Sequence, residues 1–189
     1  SQRKGIEYNG NLYHSELYGK KDSKYHLNKT EVALNNNILL YHIHEDEWDG
    51  HKDLIKNKLL GIFGKGLRYE IDNNFNVLTV PELDRIEFLE KNHLLGNDES
   101  AHCVGAYHDN ILYAVMCFNV VDIENNIYVL TRFATKDNYI IGGVGNLLLR
   151  YFILNNNPKK IMCFADRRWT PSYKNNTYTI LGFTYIETL

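Results

Sequence analysis

Residues 101–135 carry three β-prone runs at hairpin spacing, Ala101–Tyr107, Ile111–Val120 and Ile127–Thr135, and this pattern restricts the fold more than any other. Asp109-Asn110 and Asn125-Asn126 stand between the runs as turn dipeptides, so the spacing predicts a meander of three antiparallel strands. A meander must cover its apolar faces, and the flanking sequence offers helices to do so. Pro81 at a first helical turn, with Glu82 and Asp84 behind it, starts a helix whose face is Ile86, Leu89 and His93 and which Gly96 stops. Beyond the meander, Ile140-Ile141-Gly142-Gly143-Val144-Gly145 leads into a helix over Asn146–Leu154. A strand at Lys160–Ala165, a short helix around Pro171–Leu181 and a last strand from Phe183 complete the pattern. The expected class is α/β (α+β), a mixed sheet with flanking helices.

The first 65 residues read differently. Ile6–Tyr8 is a short β-prone piece, and Asn9-Gly10 is a strong hairpin signal that makes Leu12–Tyr18 the expected partner strand. Tyr25–Leu34 has a helical pattern ended by Asn35–Asn37, and Ile38–Ile43 reads as a buried strand. Leu54, Ile55, Lys58, Leu59 and Ile62 fall at helical spacing over Asp53–Phe63. Residues Leu67–Val80 form a strand-rich connection, so the expected organisation is a module over 1–65, a connection over 66–80 and a second module over 81–189.

Composition bounds the function. With 44% hydrophobic and 23% charged residues the chain is globular rather than disordered. The longest apolar runs, Ile111–Val121 and Leu147–Leu154, fall short of the ~20 residues a membrane helix needs, and no signal-peptide pattern opens the chain, so the expected location is the cytoplasm, with no membrane partner. Cys103, Cys117 and Cys163 are too few and too scattered for a disulfide framework or a zinc site of their own. A net charge of −2 argues against a purely electrostatic nucleic-acid binder, though a local basic patch is compatible with it. The 23 Asn residues, many in clusters, match the coding bias of an AT-rich genome and are assigned mainly to loops and caps.

Glycines between a β-run and a helix allow close backbone approach, and the N–H groups at a helix N-terminus bind phosphate. Glycine also serves any tight strand-to-helix turn. The surrounding element order, with Ile140–Leu149 and Tyr178–Phe183, resembles the GNAT acyltransferases over Pro81–Leu189. That resemblance implies a GNAT-like fold, acetyl-CoA as cofactor, and Gly143, Val144, Gly145 and Asn146 as donors to its pyrophosphate, with Tyr178 as an acid near the thioester; a core tyrosine on the last helix fits Tyr178 equally. The Arg or Gln usual ahead of the glycines is replaced here by Ile140-Ile141.

Asp166-Arg167-Arg168-Trp169 ends the fifth strand of this pattern, and two guanidiniums beside an aromatic suit phosphate contact and base stacking. A strand-end cluster in which Asp166 pairs with an arginine fits the residues equally. The string Ala165–Trp169, followed by a tyrosine and Gly-Phe, also resembles phage-encoded domains in which a GNAT-like module is appended to a nuclease. If the chain is phage-encoded, its location is the host cytoplasm.

Residues 6–48 concentrate carboxylates and histidines: Glu7, His14, His26, Lys29, His42, His44 and Glu45–Glu47. Metal-dependent phosphodiesterases need carboxylates for Mg²⁺ and a His or Lys to activate water or steady the phosphate. Ile6–Gly10, Tyr13–Glu16, Tyr25–Glu31 and Tyr41–Trp48 together resemble the Vsr-like branch of the PD-(D/E)XK nucleases, which includes phage homing endonucleases. That resemblance implies a partial restriction-endonuclease-like module over 1–65 acting on DNA with Mg²⁺ or Mn²⁺. It makes Glu7 the strand carboxylate, His14 the catalytic histidine after the hairpin, and Lys29 the replacement for the motif lysine, whose place is taken by Asn9; from the residues themselves, Glu45 is a further candidate metal ligand and His26 a further candidate catalytic histidine. The family's leading Asp would precede Ser1, so the chain is expected to begin inside the nuclease fold, and Leu189 to fall within its last strand.

Plainer roles fit the same residues. His42 and His44 alternate on one strand face and suit a structural pair as well as ligands, Glu45–Glu47 suit a helix N-terminus, and Tyr25 and Trp48 suit a core. Three functions follow: a DNA endonuclease whose Arg167, Arg168 and Trp169 aid DNA recognition, an acyltransferase using acetyl-CoA, or a DNA-binding remnant with neither site complete. The nuclease motifs are the denser, and the sequence favours the first.

Overall fold

The computed structural model describes residues 2–10, 24–70 and 74–188. The chain divides into two compact units, one made of Ser1–Lys52 with Ala165–Leu189, the other of Asp53–Phe164. The hairpin expected over Leu12–Tyr18, and His14 with it, lie outside the described residues.

In the first unit, β1 (Arg3–Asn9) pairs in parallel with β2 (Ile38–His44), and α1 (Tyr25–Asn35) connects them and packs on β2. This is a βαβ crossover, which joins parallel strands through a helix. Asn37, at φ 60°, takes the left-handed backbone that turns α1 into β2. A helical run, α2 (Glu45–Ile62), follows directly, with Glu45, Asp46 and Glu47 in its first turn, where carboxylates complement the helix dipole. His51 (φ −136°, ψ 37°) is non-helical and breaks this run beside the division between the units.

The second unit holds the mixed sheet. Its five strands run in the order β4 (Asn76–Thr79), β5 (His102–His108), β6 (Ile111–Asp122), β7 (Ile127–Thr135) and β9 (Lys160–Cys163). The first four pair antiparallel and β9 joins β7 in parallel. The meander thus forms as expected, and both turn residues Asp109 and Asn110 have positive φ, as a two-residue hairpin turn demands. Separately, β3 (Leu67–Glu70) pairs in parallel with β8 (Tyr139–Gly142). The strand-rich connection over 67–80 therefore supplies an edge strand to the sheet and the partner of β8.

Helices cover both faces of this sheet. β6 is buried from Tyr113 to Phe118 without a break, as a strand covered on two sides must be. From one side α3 (Glu82–Asn92) packs Phe88 and Leu89 on Val80, Cys103, Val115, Cys117 and Ala134. α4 (Val144–Asn156) packs on β5 and β6, with Phe152 stacked on Phe118 at 3.6 Å between ring centres. The buried face of α3 is Arg85, Phe88 and Leu89, with Ile86 only half-buried, rather than the expected Ile86, Leu89 and His93. Arg85 is tolerated there because its Nη1 donates to Ser100 O at 2.6 Å and its Nε to Asn97 Oδ1 at 3.1 Å.

The C-terminal segment corrects two expectations. The helix over Pro171–Leu181 shrinks to one turn, α5 (Thr177–Ile180), capped by reciprocal bonds between Asn176 and Thr179. The preceding residues wind instead around buried Ser172, whose Oγ accepts from the Lys174 and Asn175 N–H groups. No strand forms from Phe183 to Thr188, where Tyr185 and Ile186 are exposed with no sheet face to bury against.

Candidate functional site

Two places in the molecule gather chemistry, one in each unit. In the first, Glu7 stands opposite His42 and Asn9 opposite His44, at the C-terminal ends of parallel strands where α/β folds place ligands. α1 lays Lys29 and Thr30 over this end. Lys29 Nζ donates to Glu7 Oε1, while Thr30 Oγ1 lies 2.9 Å from His42 Nε2 and donates to the His26 carbonyl at 3.0 Å. A hydroxyl has one proton; with it given to His26, Thr30 must accept from an Nε2–H on His42. His42 Nδ1 is then left as an acceptor, and Asn9 Nδ2 donates to it at 3.4 Å. Glu7 Oε2 lies 3.5 Å from the same nitrogen. Burial brings His42 down to about 4 against the opposing pull of Glu7, so the ring is neutral at pH 7. The His26 ring sets its edge against His42 and His44 at 5.4 and 5.3 Å.

The result is a carboxylate locked to an ammonium beside a neutral, fully buried imidazole. Lys29 is 45% exposed and Glu7 15%, so the lysine is the group that reaches solvent.

In the second unit, β8 runs into α4 through Gly142 and Gly143, both exposed. Gly143 is the residue before the helix, at φ 77°, a left-handed conformation in which glycine meets no Cβ penalty. No side chain caps the helix there and its first turn carries no acid. The first N–H groups of any helix lack an intrahelical acceptor, so the donors of Val144, Gly145 and Asn146 stand at a positive end. Glu70, the register partner of Gly142, brings its carboxylate to 3.4 Å from where a Cβ on Gly142 would sit.

Solved structures with some likeness to the chain are acetyltransferases. A possible acetyltransferase from Clostridium difficile 630 is 11% identical over 62% of this chain and 95% of its own, with a TM-score of 0.47. The ribosomal-protein-S18-alanine N-acetyltransferase from Escherichia coli is 15% identical over 43% of this chain and 59% of its own, at 0.36. A GNAT family acetyltransferase from Elizabethkingia anophelis with acetyl-CoA bound is 17% identical over 49% and 65%, at 0.39. The chain therefore spans less than two thirds of the length of the last two. No family model and no curated protein matches the chain. Likeness of this extent leaves function to the chain's own residues, and the Vsr-like reading of residues 1–65 finds no support among these structures.

The expected site residues divide accordingly. Glu7, Lys29 and His26 come together in the first unit. Glu45 opens α2 in the dipole-favoured first turn, and among the described residues no group of three or more His, Cys, Asp or Glu is placed to hold a metal ion. Among the described residues the expected Mg²⁺ or Mn²⁺ finds no ligand set, because β1 and β2 bring the single carboxylate Glu7 together with imidazoles, an amide and an ammonium. Arg167 and Arg168, expected on DNA, are engaged within the first unit. Arg167 Nη2 pairs with Glu31 at 2.5 Å, and Arg168 chelates Asp166 and reaches Glu47 Oε1 at 2.8 Å. Trp169 is half-buried, its backbone N–H donating to the Asp166 carbonyl. Gly143, Val144, Gly145 and Asn146 form the glycine turn in the second unit, while Tyr178 lies on α5 in the first.

Sequence reasoning missed Thr30, Asn9 and Glu70. Thr30 follows His26 by one helical turn, a spacing at which a hydroxyl reaches back to the i−4 carbonyl, and that was the one available signal.

Proposed function

We propose that the chain is a GNAT-type acyl-coenzyme-A-dependent N-acyltransferase whose glycine turn cradles the cofactor's pyrophosphate. The observation that carries this reading is the uncapped α4 N-terminus behind exposed, left-handed Gly143, set beside a mixed sheet in the order helix, meander, turn, helix, parallel strand. Gly143, Val144, Gly145 and Asn146 donate backbone N–H groups to the diphosphate, and the absence of a Cβ at Gly143 lets it approach. Bound acyl-CoA supplies the activated thioester to which an acceptor amine adds. Tyr178 enters as the acid for the leaving thiolate through the family resemblance alone. Calorimetric titration with acetyl-CoA tests the reading: wild type binds, and Gly143→Val, strained at positive φ and bulky at the cradle, does not. Wild type that fails to bind ends it.

A second reading is favoured by the convergence of Glu7, Lys29 and His42 at the ends of parallel strands. It makes the chain a Vsr-like DNA endonuclease with the GNAT-like module aiding recognition, or a DNA-binding remnant. Lys29, the exposed cation of the cluster, would swing from Glu7 to a backbone phosphate. Among the described residues Glu7 is the carboxylate that would meet a divalent cation in this reading. Nicking of supercoiled plasmid with Mg²⁺ or Mn²⁺, abolished in Glu7→Ala, is its expected result. A folded protein that leaves the plasmid intact but binds it in a salt-sensitive way points to the remnant.

A further inference from the structure

We propose that Cys103 and Cys117 form a redox-operated staple, a thiol pair that closes to a disulfide between β5 and β6 under oxidation. The two residues stand directly opposite each other in the antiparallel register. Directly opposed antiparallel residues point to the same face with Cα atoms about 4.5–5.5 Å apart, inside the span a disulfide bridges without backbone movement. The Cys117 thiol already donates to Cys103 Sγ at 2.7 Å. Both side chains are buried in the core beneath α3, with Val80, Phe88, Leu89, Val115 and Ala134 around them. Cys163, half-buried on β9, is not part of that core cluster.

The step balances with a peroxide as oxidant. Cys117 and Cys103 each lose a proton and one electron, the Sγ–Sγ bond forms, and hydrogen peroxide takes two electrons and two protons to leave as two waters. The hydrogen bond to Cys103, and then burial, push the Cys117 thiol up, so reaction is slow and waits on local opening of the β5–β6 hairpin. In a reducing compartment the pair stays open and the hairpin carries no covalent constraint. Once closed, the bond ties two strands across the meander and narrows the unfolded ensemble.

The test is intact-mass and peptide analysis of the whole protein after hydrogen peroxide, with iodoacetamide added on denaturation, beside thermal unfolding. The expected result is a loss of two hydrogens, a fall from three alkylated cysteines to Cys163 alone, and a Cys103–Cys117 linked peptide pair. Tm rises by several degrees on oxidation and returns with dithiothreitol, and Cys163→Ser behaves the same, a variant that leaves the core untouched. Three alkylated cysteines after oxidation, a link through Cys163, sulfinic acid at Cys103 or Cys117, or a disulfide that leaves Tm in place each overturn the proposal.

Discussion

At the centre of the first unit sit Asn9, Thr30 and His42; at the centre of the second sit Met116, Phe118, Leu148 and Phe152. Both sets are essentially inaccessible to water, yet one is held by directed bonds and the other by shape. An apolar core tolerates exchange of similar volumes and loses stability in proportion to what is removed. A polar core depends on every partner being present, because a buried donor or acceptor left alone costs more than the bond itself returns. The first unit is therefore the place where one atom, rather than a volume, decides the arrangement, and it is where the Glu7–Lys29 pair is positioned.

The largest expected effect breaks the apolar side. Phe152→Ala removes the ring stacked on Phe118 and should cost about 3–5 kcal/mol in urea unfolding. A loss under ~1 kcal/mol would mean that the sheet collapses around the gap and that the contrast between the cores is false.

Acid charges one buried ring in each unit, His42 in the first and His93 in the second. Burial holds both His42 and His93 at about 4, well below the usual 6.5. A histidine depressed in the folded state binds its proton more readily unfolded, so stability is full above pH 6.5 and falls as pH drops from 6.5 towards 4. Each ring contributes on the order of 3 kcal/mol to that fall. Proton-detected titration should find these two rings neutral at pH 5; a ring already charged there removes its share of the acid sensitivity.

Thr30→Val tests the directed bonds singly. It keeps the volume but takes the partner from His42 Nε2, and should cost about 1–3 kcal/mol. The imidazole nitrogen shifts should show the Nε2–H tautomer losing its preference. An unchanged tautomer would show that Thr30 does not set it.

The smallest effect lies at the glycine turn. Glu70 places a carboxylate beside Gly142 and supplies the negative charge that α4 lacks in its own first turn. Glu70→Gln should tighten acetyl-CoA binding roughly threefold at low salt, with the gain fading as salt is added. Equal affinities across the salt range would place the cofactor's phosphates away from this carboxylate.

Local signals made the meander legible: β-prone runs at hairpin spacing gave the strands, and Asp109-Asn110 gave a turn that only residues at ease with positive φ adopt. The helix behind the glycines was equally visible. The parallel pairing of β1 with β2 and of β3 with β8 was not, because each joins segments far apart in sequence and no local pattern encodes register. Arg85 on the core face of α3 was invisible for a related reason, since the acceptors that make it tolerable, Ser100 O and Asn97, lie beyond the helix. At the candidate sites, Glu7 and Lys29 stood out as chemistry-bearing residues. Thr30, Asn9 and Glu70 acquire their roles only from neighbours that folding delivers.

Asparagine is abundant here in the manner of a nucleotide bias, but part of it stands where the backbone restricts the choice of residue. Among the described residues, Asn37, Asn110, Asn126, Asn138 and Asn157, with Asp109, occupy the left-handed region. Replacing any of these with an ordinary side chain costs about 1–2 kcal/mol per position. Mutational drift towards a different base composition would therefore erode the asparagines unevenly. Comparison of diverged copies should find these turn positions keeping Asn, or exchanging it for Gly or Asp, long after the rest of the excess has gone.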